Sequence, residues 1–467
     1  MQKPSFDRKS EYVSQLGALN RSFLNWFKEM VEKDPNISLE DGASDYLSHL
    51  AQIEERYLKV HGDVLTFGNG ECGQLGQGTE EEDLRVRYPK ILFSLRDKKV
   101  ILIACGGLHN VVVTNGGLVY SWGCNDDGAL GRGGDENFPS LVEGVNEVVE
   151  VTCGDSHSLA LTSQGNVFGW GAYKSKEGEK MFTPTEQGGG DIFGQRNSPV
   201  LIHSINNIVQ IRAGSGFNLA RGGNGRVYSW GLGECGQLSR VVCSLDRDFR
   251  PSNEEVGRSH LTPQPMMMSQ DGSIVVKGAK AIGCGAYHSI VVLISEKHEI
   301  YGSGLNNYGQ IGEINFSSQT PFLTPIPALD GEGISEVDGG MHHSTAFSKK
   351  AGKVFAWGRG DSGQLGYSDQ SPPPPGWSSS TPREVPFPPS AAPISLSSGS
   401  SHNLVLTQKG FVYSWGFGEE LALGHGEEKD EIRPRKMNFE TAGISNMKIT
   451  QVIGGGQHSA ILGVTTS

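Results

Sequence analysis

Six histidines recur in this chain at one position of one short phrase, and histidine is the side chain best suited to hold a metal or move a proton near neutral pH. They are His109, His157, His288, His343, His402 and His458, each closing a phrase of the form C-G-x-x-H or a close variant. At a seventh place Ala213-Gly214-Ser215-Gly216-Phe217 stands instead. No H-E-x-x-H, G-x-S-x-G, phosphate loop or C-x-x-C accompanies them. The seven cysteines (72, 105, 124, 153, 235, 243 and 284) show no metal-ligand spacing. Covalent catalysis, a metal and a cofactor are therefore not expected. A recurring residue is first a structural one, its neutral ring bonding a neighbouring strand or turn, with His109 and His458 best placed to reach a partner. Two departures carry chemistry that packing does not ask for. Asp155 occupies a turn position held elsewhere by Gly107, Ala286, Met341, Ser400 or Gly456, so it is either an interface carboxylate or a turn cap. His342-His343 supplies two rings where the phrase needs one, and His343 is taken as the functional one.

The elements that must position these residues follow from a second phrase, V-Y-S-W-G in several spellings, which occurs seven times and ends at Gly68, Gly123, Gly171, Gly231, Gly304, Gly358 and Gly416. Most copies run into G-x-x-G-Q-L-G, as at Gly70–Gly76. Short runs of Val, Tyr, Trp and Ile between glycine clusters are strands joined by tight turns. The 65 glycines are about twice the usual share, as expected where many turns need positive φ. A period of about 50 residues with about four strands per unit has the size of a propeller blade. The expectation is an all-β, seven-bladed β-propeller over residues 62–467. The first V-Y-S-W-G equivalent has no C-G-x-x-H before it and the last has no V-Y-S-W-G after it. One blade completed from both ends of the chain would close the ring and leave no open sheet edge. The alternative is an open solenoid, which would need polar caps.

Residues 1–61 read as a separate helical hairpin. Leu16, Leu19, Phe23, Trp26 and Met30 share one helical face, and Tyr46, Leu50, Ile53 and Tyr57 another. It either docks on the propeller rim or binds a partner, and its wording resembles a short helical motif of a nuclear-basket nucleoporin that works with the GTPase Ran. Residues 369–392 are a proline-rich surface loop. No apolar run approaches a membrane span and no signal peptide is expected, so a membrane partner is not. The cysteines read as reduced packing residues of a cytosolic or nuclear protein. A net charge of −12 argues against a general nucleic-acid coat.

The repeats resemble the regulator-of-chromosome-condensation family, chromatin-bound guanine-nucleotide exchange factors for Ran. V-Y-S-W-G and G-Q-L-G mark only the wider class. More specific are Cys124-Asn125-Asp126-Asp127-Gly128-Ala129-Leu130-Gly131-Arg132 continuing into Cys153-Gly154-Asp155-Ser156-His157, then Gly304-Leu305-Asn306-Asn307-Tyr308 and Gly339-Gly340-Met341-His342-His343. The resemblance implies a partner, Ran in its GDP-bound or nucleotide-free form, gripped without bond making. It implies Asp155 and His343 as catalytic contacts, with Glu71, His109, Lys174, Lys176, Asn307 and His458 on the GTPase interface. The segment Ala172–Lys180, which replaces the G-Q-L-G turn, falls where the family carries a protruding β-hairpin wedge. One difference cuts the other way: the family's second catalytic Asp is replaced by Gly216, and the following His by Phe217.

A nuclear, chromatin-associated protein is implied, with nucleosome or histone contact through Arg247, Arg250 and Arg258 in the loop Arg240–Gln264. The Lys/Arg-rich tail of the family is reduced to Lys3, Arg8 and Lys9 within residues 2–10, so tail-driven DNA binding is not expected. A nuclear-transport or nuclear-pore protein is the implied partner of the N-terminal helices. The alternative function is a non-catalytic propeller scaffold for another GTPase or protein.

Overall fold

A computed structural model describes residues 61–175, 177–184, 191–240, 254–268, 274–294, 299–312 and 317–466. The expected helical hairpin of residues 1–61, apart from His61, and the candidates Lys176, Arg247 and Arg250 lie outside these residues. The repeated phrases form strands of seven four-stranded antiparallel sheets, a seven-bladed β-propeller. Blades I to VI follow in chain order as residues 100–142, 148–201, 208–265, 279–325, 336–384 and 393–436. Blade VII takes its inner strands, Met447–Gly454 and His458–Thr465, from the end of the chain and its outer strands, Asp63–Asn69 and Arg85–Ile91, from the beginning. Asp63 pairs with Gly463 and Gly68 with His458 across that seam. The ring is thus closed by the two ends, and the open solenoid is excluded.

Two recurring side chains, a tryptophan in five units and a histidine in six, do most of the joining. Trp122, Trp170, Trp230, Trp357 and Trp415 are fully buried. In four of them the indole N–H donates to a main-chain carbonyl of the preceding blade's tight turn: Gln74 (3.1 Å), Ala129 (2.8 Å), Gln310 (2.8 Å) and Gln364 (3.2 Å). The residue after the phrase histidine donates to the same carbonyl, as Asn110, Ser158, Ser344 and Asn403 do. The G-Q-L-G turn therefore presents a shared acceptor, and its last glycine must let the indole approach. Gly131 has φ +65°, and a Cβ on it would lie 2.7 Å from Trp170. Hydrophobic clusters fill the seams, as Val111, Val113 and Val119 of blade I meet Val148, Val151 and Trp170 of blade II.

The recurring histidines form the second joint. Each Nε2 bonds the side chain that follows the histidine seat of the next blade. His109 meets Ser158 (2.8 Å), His157 Asn218 (2.8 Å), His288 Ser344 (2.7 Å), His343 Asn403 (2.9 Å), His402 Ser459 (2.8 Å) and His458 Asn110 (2.8 Å). Phe217 fills the seventh seat with an apolar ring. Inside this relay the turns themselves are joined by main-chain bonds that run once round the axis: Gly107 to Gly154, Asp155 to Ser215, Ser215 to Ala286, Ala286 to Gly340, Met341 to Ser400, Ser400 to Gly455 and Gly456 to Gly106.

The relay makes stability depend on acid. Burial holds the six rings neutral, lowering His157 and His343 to about 4 and His109, His288, His402 and His458 to about 3. An unfolded histidine titrates near 6.5, so below that pH the unfolded chain binds more protons than the folded one, and stability falls as pH falls. All six rings act in the same direction, so acid removes a large part of the roughly 5–15 kcal/mol of a typical domain. Urea unfolding between pH 7.5 and 4 is expected to show a steep loss of stability starting near pH 6.5. A flat profile down to pH 5 would mean that the rings are solvated.

Candidate functional site

The turns between first and second strands, and the loops between third and fourth, open on one end of the propeller, so one face collects the residues that escape the repeat. Asp155 stands on the innermost ring of turns. Its main-chain N–H donates to the Ser215 carbonyl (3.0 Å), and its exposed carboxylate accepts the Ser215 hydroxyl. Those two bonds hold the carboxylate at the mouth of the central channel, where no other turn has an acid. Glu71, Lys174 and Asn307 are exposed on loops of the same face, in blades VII, II and IV.

Where blade II lacks the G-Q-L-G turn, the chain forms a short hairpin, Tyr173–Lys174 against Lys180–Met181. Its root is Tyr173, fully buried and stacked on Phe182 at 5.0 Å. The phenol oxygen accepts from Asn218 Nδ2 and from Trp230 Nε1, both at 3.0 Å. It thus replaces the main-chain carbonyl that serves this pair of donors in other blades, which frees the loop above it to protrude. Burial raises the phenol's pKa, so it stays protonated and donates to Thr183 Oγ1 (3.1 Å). The arms are tied back to blade I. Lys180 Nζ lies 2.9 Å and Lys174 Nζ 3.7 Å from the Asp127 carboxylate, which also accepts from Ser156 Oγ (2.7 Å). Burial works against the charge of Asp127, yet Ser156 and Lys180 hold its pKa below the usual carboxylate value.

Across the channel the histidine doublet resolves in a different way from the sequence expectation. His343 is 1 % exposed and occupies the relay seat, while His342, half-buried, faces the surface. Tyr308 lies 5.1 Å and Tyr287 6.5 Å from the His342 ring. Arg359 stacks on Tyr308 at 5.2 Å and is held by both oxygens of Asp361, at 2.7 and 2.9 Å. Burial, then Arg359, lower the pKa of His342. His109 and His458 are likewise relay members, 1 % and 0 % exposed, and reach no surface. The three histidines assigned to the face from sequence are thus corrected to inter-blade links. His343→Ala is expected to cost on the order of 2 kcal/mol, since it empties a buried seat and deletes the bond to Asn403, whose Oδ1 keeps only the Ser398 hydroxyl, whereas His342→Ala should stay within about 0.5 kcal/mol. Urea unfolding of both separates the two seats.

A family model for the RCC1-like domain matches residues 63–461. The chain belongs to the RCC1-like family. It is 33% identical over 415 residues to the regulator of chromosome condensation of Xenopus laevis, covering 86% of this chain and 90% of that protein. It is 29% identical over 476 residues to the guanine nucleotide exchange factor SRM1 of Saccharomyces cerevisiae, covering 90% and 92%. Among solved structures it is similar to Prp20p of Saccharomyces cerevisiae, with a TM-score of 0.75 and 27% identity over 89% of this chain and 95% of that one. That structure is described together with the binding properties of Prp20p to Gsp1p and histones.

In this member of the RCC1-like family, sequence reasoning missed Asp127, Tyr173, His342 and the Tyr308–Arg359–Asp361 group. For the doublet a signal was present. Every seated histidine is followed by Ser or Asn, the donor to the shared carbonyl, and only His343 satisfies that rule. Arg258 lies half-buried on the helix Glu254–Leu261 of blade III. Among the described residues no cluster of His, Cys, Asp and Glu could hold a metal, and no helix is long and apolar enough to cross a membrane.

Proposed function

We propose that this chain is a guanine-nucleotide exchange factor that promotes GDP release and GTP loading on a Ran-type small GTPase, in the nucleus and at chromatin. The observation that carries the reading is Asp155, an exposed carboxylate pinned at the channel mouth beside a hairpin that replaces a structural turn. Exchange makes and breaks no covalent bond. The propeller binds the nucleotide-free GTPase more tightly than the loaded one, so that the population shifts toward release. An acceleration of about 10⁵ needs roughly 7 kcal/mol of that preference. Asp155 supplies a fixed negative charge to donors uncovered as nucleotide and magnesium leave. The hairpin carrying Lys174, with Lys176 a further candidate from sequence, presses beside the phosphates, while Glu71, Asn307 and His342 grip around it. Gly216 leaves the neighbouring position without an acid, so Asp155 carries more of the preference. A Cβ at residue 216 would meet only the end of the Leu232 side chain, at 2.9 Å, so Gly216→Asp can be accommodated and should raise exchange.

Chromatin contact is assigned to the blade III loop, with Arg258 and, from sequence, Arg247 and Arg250 pairing with an acidic histone surface. The description of Prp20p with Gsp1p and histones supports both partners. The test is gel filtration of the protein mixed with Ran stripped of nucleotide. A stable complex that GDP or GTP dissolves is the expected result. A complex indifferent to nucleotide would instead describe a scaffold.

A further inference from the structure

The loop of blade III and the hairpin of blade II are packed together, and a buried cation stands at their junction. Arg240 directly follows the blade III turn and is 5 % exposed. Its guanidinium donates to the carbonyls of Thr262 (3.1 Å) and His260 (2.6 Å), at the C-terminal end of the helix Glu254–Leu261. Those carbonyls have no partner within the helix, and a cation there also meets the negative end of the helix dipole. The arrangement is costly, because Nε has no partner among the described residues and burial pushes the group down to about 9. A side chain needed only to fill space would be apolar.

What the clamp holds is in contact with the hairpin. Leu261, fully buried, shares one hydrophobic cluster with Tyr173, Met181, Phe182 and Ile192. The helix approaches so closely that a Cβ on Gly257 would lie 2.8 Å from Ile192 Cδ1. Ile192 in turn accepts the main-chain N–H of Phe182 (2.9 Å), and Gly194 donates to Lys180 (2.8 Å), directly behind the hairpin arm.

We propose that the helix Glu254–Leu261, clamped by Arg240, is the buttress that fixes the height and angle of the Tyr173–Met181 hairpin on the partner face, which makes Arg240 a positioning residue for that hairpin. Its consequence for nucleotide release rests on the exchange reading, but the buttress itself does not.

The experiment follows hydrogen exchange of segment 172–182 alongside nucleotide release, in the full chain and in Arg240→Met, Arg240→Lys and Gly257→Val. Methionine keeps the buried stem and removes the clamp, lysine restores a single charged donor, and valine pushes on Ile192 from the helix side. Arg240→Met and Gly257→Val are expected to speed exchange of the hairpin amides at least tenfold while the segment 402–416 of blade VI is unchanged. Arg240→Lys should lie between, and kcat for release should fall about tenfold with KM within twofold. Unchanged hairpin protection in both variants overturns the buttress. So does protection lost equally in all blades, which would mark Arg240 as a general stabiliser. If the unmodified protein releases no nucleotide, the exchange reading fails, and the protection data still decide the buttress.

Discussion

Asp155→Asn is expected to cut kcat/KM for nucleotide release about 100-fold and to leave thermal unfolding within about one degree. Asparagine keeps the size and an acceptor for the Ser215 hydroxyl, and the main-chain bond from residue 155 to Ser215 does not depend on the side chain. Only the charge is removed. Hydrogen bonds to a charged group contribute about 1.5–3 kcal/mol, and about 2.8 kcal/mol corresponds to two powers of ten. Because the side chain is exposed in the free protein, its loss orphans nothing in the fold. Ser215→Ala is the companion variant. It frees the carboxylate to rotate and should cost less than tenfold. Stopped-flow release with a fluorescent GDP analogue measures both, and activity retained within twofold in Asp155→Asn would reduce the residue to a turn cap.

Tyr173→Phe is expected to lower the unfolding free energy by about 2–5 kcal/mol, a large effect for the loss of one oxygen. Two buried donors, Asn218 Nδ2 and Trp230 Nε1, converge on that oxygen. Each one left unsatisfied costs about 1–3 kcal/mol. The equivalent acceptor in other blades is a main-chain carbonyl, which no side-chain substitution can delete. Urea unfolding should show a lower midpoint with an unchanged slope. A shift below about 0.5 kcal/mol would mean that water reaches the two donors and that the hairpin root is open.

These two residues mark how far the sequence could be read. The seven-fold repeat, the strand character of V-Y-S-W-G and the closure at Asp63–Asn69 against His458–Thr465 were legible because most units repeat the same inter-blade bonds with the same residue types. Asp155 was noticed because it breaks that repetition at a position where its neighbours are small or apolar. Tyr173 broke it too, yet its meaning stayed hidden. Its donors come 45 and 57 residues later, and a phenol standing in for a backbone carbonyl has no periodic signature. The doublet at 342 and 343 was legible in principle, but rank in the phrase alone does not say which ring is seated. His109 and His458 were placed on the face for want of the fact that each points sideways into the next blade. The clamp by Arg240 needed three-dimensional placement altogether, since the helix it caps begins fourteen residues further along the sequence.

The most direct test is release of a fluorescent guanine nucleotide from purified Ran, with this protein present at one hundredth of the GTPase concentration. Rapid multiple-turnover release, accelerated at least a thousandfold over spontaneous loss and abolished by excess Ran stripped of nucleotide, is the expected result. Binding to Ran without any acceleration would contradict the exchange function and leave a propeller that holds its partner without emptying it.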